Sequence, residues 1–204
     1  MAPDSPTVSV TGRGSATAAP DRGTIRLECR AERATVADAM ADANAAVRMV
    51  RAAVAEHGID AAAVPTVGAT VRAVERGMRG EPQGATEYVA SHRLQIGVED
   101  VARLGEVLAT AIAAAGDAAR LEGVEVGVAD GQALHAEARE AAWADAVAAA
   151  ARLAELAGRR LGSVRSVTEG AEAVVAPQRM AATVPVEPAG VEAQAVLRVV
   201  WELA

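Results

Sequence analysis

From Val191 to Leu203 the chain alternates cleanly, with Val191, Ala193, Ala195, Leu197, Val199, Trp201 and Leu203 on one side. Period two of this length predicts a strand with one buried face. The same rhythm marks Ile25, Leu27, Cys29 and Ala31 against Arg26, Glu28, Arg30 and Glu32, a strand with one dry and one wet face. A shorter alternation, Thr7 to Thr11 with Val8 and Val10 together, opens the chain. The GRGSATAAPDRG that follows holds Gly12, Gly14, Pro20 and Gly23 and reads as a turn-rich connector. Pro65 starts another extended run, with Val67, Ala69, Val71 and Ala73 on one side. Its partner carries Tyr88, Ala90, His92, Leu94, Ile96 and Val98 opposite Glu87, Ser91, Arg93 and Gln95. These two runs predict a hairpin whose long tip is RGMRGEPQGA.

Helical spacing separates these strands. Thr35 with Asp38 three residues on is a capping start, and Val36, Met40, Ala43, Val47, Val50 and Val54 form one stripe ending before Gly58. A second helix spans about Val101 to Ala115, with Val101, Leu104, Leu108, Ala111, Ile112 and Ala115 inward and Gly116 at its stop. Val124, Val126 and Val128 mark a short strand after it. A long alanine-rich helix follows the N-cap candidate Asp130 and runs to Ala157, with Gly158 beyond. A strand through Val164 and Val167 and a proline-bearing loop from about Glu172 to Gly190 complete the order.

Together these elements predict an α+β fold with an antiparallel sheet. Thr24 to Val128 reads β-α-β-β-α-β, a ferredoxin-like arrangement that puts both helices on one face. The expected organisation is a single domain over 1–204, open to division into two lobes: 24–128 as the split-βαβ portion, and 129–204 joined with the N-terminal strand.

Composition narrows the chemistry. The 204 residues are 51% hydrophobic, yet Tyr88, Trp143 and Trp201 are the only aromatics, so small aliphatic side chains must fill the core. No lysine occurs, which excludes Schiff-base chemistry, a P-loop lysine and a lysine base. A net charge of -7 with interleaved acids and arginines leaves no basic stripe, and no nucleic-acid partner is expected. Cys29 is the sole cysteine, so no intrachain disulfide can form. No apolar run is long enough to span a bilayer, and MAPDSPTVSVTGRG has neither a basic n-region nor an apolar h-region. With Met1 as the native start, the expected location is cytoplasmic.

Each candidate reaction centre in the chain also has a structural role open to it. Gly12-Arg13-Gly14-Ser15 lacks the third glycine and the following helix of a dinucleotide cradle. His57, His92 and His135 lie on separate elements without ligand spacing, so no metal site is predicted, although His92 shares a face with Leu94 and Ile96. Cys29 sits on the apolar side of its strand, where a thiol is shielded and has no resolving partner. Glu137, Glu140 and Asp145, with Arg139 nearby, read as a charged helix face, and neither GxSxG nor HExxH is present. Trp143, one large aromatic among alanines, is either a core plug or an anchor for another subunit. With Trp201 on the C-terminal strand, it is the candidate assembly contact.

The joint order of VSVTGRGSATAAPDRGTIRL, HGID, TEYVASHRLQI, EAREAAWADAVAAAARLAELAGRRLGSVRSVTEG and VEAQAVLRVVWEL resembles the SIMPL-domain family. That family includes bacterial oxidative-stress-defence proteins and periplasmic antigens. The resemblance implies an α+β fold, homo-oligomer formation and no catalytic residues to carry over. The chain departs from many relatives in showing no secretory signal and in a hairpin tip without aromatics. The expectation is a non-enzymatic, self-assembling scaffold or stress-associated protein without a cofactor. The alternative is a small-ligand or metal-binding module near His92 and the RGMRGEPQGA loop.

Overall fold

A computed structural model describes residues 6–75, 86–170 and 190–204 in full and the main chain at 178–180. The RGMRGEPQGA tip lies outside the described residues. Eight strands and three α-helices are described, in the order β1 (Thr7–Ala18), β2 (Arg22–Arg33), α1 (Val36–Ala55), β3 (Thr66–Glu75), β4 (Thr86–Val98), α2 (Leu104–Ala115), β5 (Ala119–Gly127), α3 (Gly131–Leu156), β6 (Leu161–Glu169), β7 (Gln178–Met180) and β8 (Val191–Leu203). The fold is α+β with antiparallel sheets. The chain forms two compact units, one from residues 1–19, 128–177 and 189–204, the other from 20–127 and 178–188.

In the second unit the sheet order is β3-β4-β2-β5-β7 and every pair is antiparallel. Its first four strands, with α1 and α2, have the strand order of a split βαβ fold. Ile25, Leu27, Leu94, Ile96 and Val126 meet Val50, Val54 and Val107 in one core, each nearly or wholly removed from water. Thr35 caps α1 by accepting the Asp38 amide at 3.1 Å.

The helix faces differ in detail from the predicted stripes. On α1 the buried line begins at Ala39, not Val36, which is 44% exposed. On α2, Val107 is buried and Ile112 is exposed, so the face is rotated relative to the one predicted. Strand β3 is an edge whose Val67 and Val71 stay exposed, and Val89 and Ser91 are buried on the side of β4 expected to be wet. The proline-bearing stretch expected as loop contains β7, which pairs with Val124–Val126.

The first unit is a three-stranded sheet, β1-β8-β6, with α3 packed on β1 and β8. Here the turn-rich connector is overturned: Gly12 and Gly14 lie inside β1, which pairs with β8 in unbroken register from Thr7↔Glu202 to Ala18↔Val191. Their role is close approach, not turning. A Cβ on Gly12 would lie 2.7 Å from the Ala146 Cβ, and one on Gly14 would lie 2.8 Å from the Ala141 carbonyl carbon, with the Ala138 oxygen nearer still.

Helix α3 answers with a row of constant spacing four: Leu134, Ala138, Ala142, Ala146, Ala150 and Ala154 are all buried. Such a row is inclined to the helix axis, so the strand pair crosses α3 obliquely along an i±4 ridge of methyl groups. Asp130 caps the helix by accepting the Ala133 amide at 2.8 Å, and Gly158 follows its end at φ 66°.

Candidate functional site

Strand β6 carries two irregularities in its pairing with β8, between Leu161 and Val164 and between Val164 and Ser166. Each adds one residue, so Leu161, Val164 and Val167, three apart, all take the register of inward-facing β8 residues. Helix α3 lies over β1 and β8 and scarcely reaches β6. The inward side of β6 is therefore left open: Val164 is 43% and Val167 49% exposed.

Trp143 stands at this opening. It is 39% exposed, and its ring lies 5.9 Å from that of Trp201 at an interplanar angle of 46°. Trp201 is buried in the sheet core, directly opposite Val164 in register. One tryptophan is thus a core residue, and it backs the other. An ion pair from Arg139 to Glu169 ties α3 to the far end of β6.

The remaining candidates stay apart. Asp145 accepts the main-chain amide of Arg13 at 2.9 Å, which gives this carboxylate a scaffold role at β1, and Glu137 and Glu140 are exposed on α3. The Gly12–Ser15 segment is strand, with no helix N-terminus following it. In the other unit, His57 Nε2 bonds the Thr110 hydroxyl at 3.0 Å, while Nδ1 lies 3.5 Å from Glu106. His135 is half-buried on α3. Among the described residues no three His, Cys, Asp or Glu side chains gather as metal ligands.

Cys29 and His92 are cross-strand neighbours, a juxtaposition that sequence reading missed. It could be found by aligning the two alternating runs as antiparallel partners. Cys29 is fully buried, and its pKa is pushed up from 9.0 to about 11, by desolvation first and the Glu28 charge second. The thiolate is therefore disfavoured near neutral pH. His92 has a buried Nε2 without a hydrogen-bond partner. Neither residue lines the two clefts described for this unit, of about 590 and 300 Å³.

These features define an α+β protein with a methyl-packed helix on a small sheet, a split-βαβ sheet, and an apolar opening more prominent than any reaction centre. The chain belongs to the SIMPL family, described as a protein of unknown function (DUF541), which it matches over residues 8–201. It is similar to the 26 kDa periplasmic immunogenic proteins of Brucella melitensis biotype 1 and Brucella abortus strain S19, each 29% identical over 177 residues. The match covers 79% of this chain and 66% of each relative, so the chain spans just under two thirds of their length. No helix among the described residues is long and apolar enough to cross a membrane.

Proposed function

We propose that the protein is a non-enzymatic, self-assembling scaffold that uses the Trp143, Val164 and Val167 surface to bind a second copy. The carrying observation is the half-exposed Trp143 beside the uncovered inward face of β6. Burying the exposed parts of these three side chains removes roughly 200 Å² per protomer, worth about 5 kcal/mol at ~25 cal/mol per Å². Association costs about as much, and a stable interface needs about 800 Å² per partner. The patch is thus an anchor within a larger contact. Trp201 supports the anchor from beneath rather than supplying contact area.

A stress-associated role rests on the family resemblance. The buried Cys29, with its raised pKa, argues against direct thiol chemistry as its basis. The relatives' names place them in the periplasm, which supports an exported setting over the cytoplasmic one. Light scattering across a concentration series tests assembly. The wild type is expected to exceed its 20.6 kDa chain mass, while Trp143→Ser and the milder Val167→Thr shift it toward monomer without unfolding it. A wild type that stays monomeric throughout rules this reading out.

A further inference from the structure

Each sheet ends on strands with a partner on one side only, and among the described residues these edges are not alike. In the first unit β1 is one edge, and α3 reaches it, since the Arg13 amide donates to Asp145 at 2.9 Å. The other, β6, carries two irregularities within nine residues. In the second unit β7 has only three residues. Strand β3 has ten. Its one irregularity falls between Thr66 and Gly68, and from Gly68 to Glu75 it pairs with β4 residue for residue. Proteins protect sheet edges with charge, proline, bulges or short length, and an edge without these is a template for another strand. From Gly68 to Val74 the only charge is Arg72, and no proline occurs.

The side chains add an apolar surface to this edge. Helix α1 lies over β2 and β4, where Ala39 and Ala43 meet Ala31 and Ala90. The same side of β3 extends beyond the helix. Ala69, Val71 and Ala73 stand on that side, opposite His92, Ala90 and Tyr88 in register. All three are exposed, Val71 by 43%. Gly68, Thr70, Arg72 and Val74 take the other side.

We propose that β3 pairs antiparallel with β3 of a second copy, centred on Val71, and joins the two sheets into one. A two-fold axis through the sheet keeps every side chain on its own face, so one residue sits on the axis opposite itself. Arg72 on the axis would set like charges against each other. Thr70 on the axis would run the pairing into the irregularity after the five residues Gly68 to Arg72. Val71 on the axis pairs all seven from Gly68 to Val74. Val71 then meets the partner's Val71, Ala69 the partner's Ala73, Thr70 the partner's Arg72 and Gly68 the partner's Val74. Apolar residues face apolar ones on the helix side, and no like charges stand opposite. Such a ladder holds about six to eight main-chain hydrogen bonds. A typical protein interface holds about ten, give or take five. This contact adds a surface in the second unit and does not rest on the Trp143 reading.

The full chain carrying Trp143→Ser separates the two contacts. In that background light scattering is expected to find twice the 20.6 kDa chain mass, and adding Val71→Lys is expected to halve it. Val71→Glu alone has the same effect. An equimolar mixture of the Lys and Glu variants returns to the two-chain mass, because opposite charges then meet on the axis. The side chain at 71 is exposed, so neither change disturbs the core. As a second measurement, Val71→Cys under mild oxidation gives a covalently linked pair, whereas Ala73→Cys, which stands opposite Ala69, does not. A single-chain mass for Trp143→Ser overturns the proposal while the Trp143 surface stands, and leaves the edge to a strand of a different protein. So does an unchanged mass after Val71→Lys, a mixture that stays at the single-chain mass, or cross-linking at Ala73 equal to that at Val71. If Trp143→Ser leaves the wild-type mass unaltered and Val71→Lys lowers it, the β3 contact stands and the Trp143 surface falls.

Discussion

At the scale of the residue, Cys29 shows how position overrides chemical type. A thiol is among the more reactive groups a protein carries, yet this one points into the core between strands and helices and is fully buried. Desolvation penalises its charged form, so folding and ionisation oppose each other. The unfolded thiol ionises near pH 9.0 and the folded one near 11. Stability from this group is therefore complete below pH 9 and declines as pH rises through that window, by on the order of 2–3 kcal/mol. Urea melts between pH 8 and 11 should show this decline, and Cys29→Ala, though less stable at pH 8, should show a smaller one. A thiol reagent is expected to label Cys29 only after denaturant is added. Fast labelling of the native protein would contradict the burial on which both expectations rest.

At the scale of the element, the contact of α3 with β1 is set by main chain rather than by side-chain volume. Gly14→Ala places a methyl group against the backbone of α3 at Ala138, Ala141 and Ala142, so the helix must move. Overpacking of this kind costs about 1–3 kcal/mol and more where backbone must shift, whereas Ser15→Ala on the exposed side costs under about 0.5 kcal/mol. Trimming Ala138 to Gly should not rescue Gly14→Ala, because the obstructing atoms are main chain; thermal melts of the single and double variants test this. The same contact explains what the sequence could reveal. The faces of β2 and β8 were legible because large apolar and charged residues alternate there, and the caps Thr35 and Asp130 because their oxygens act locally. The buried face of α3 was illegible because alanine occurs all around it. Glycine has two readings, and only the helix opposite selects close approach at Gly12 and Gly14 over a turn. Val107 and Ile112 are equally apolar, so tertiary packing alone decides which is buried. Trp143 could be singled out by size. Its exposure depends on the two bulges of β6, which no local pattern announces.

At the scale of the whole molecule, the two units differ in how far along the chain their contacts reach. The split-βαβ unit is almost continuous, whereas the other assembles β1, α3, β6 and β8 from separate stretches. Within it, Arg198 bonds the Ser9 hydroxyl across 189 positions of sequence. Long loops must close before such contacts form, and closure of non-local pairings slows folding. The split-βαβ unit is thus predicted to form first. The tryptophans make the order measurable, since Trp143 and Trp201 both belong to the discontinuous unit while far-UV circular dichroism records helices and strands of both. In stopped-flow refolding, much of the far-UV signal should return before tryptophan fluorescence. Pulsed hydrogen exchange should protect β2 and β4 ahead of β1 and β8. If both optical signals recover with one rate and all four strands gain protection together, the two units fold as one cooperative body and the difference in contact range has no kinetic effect.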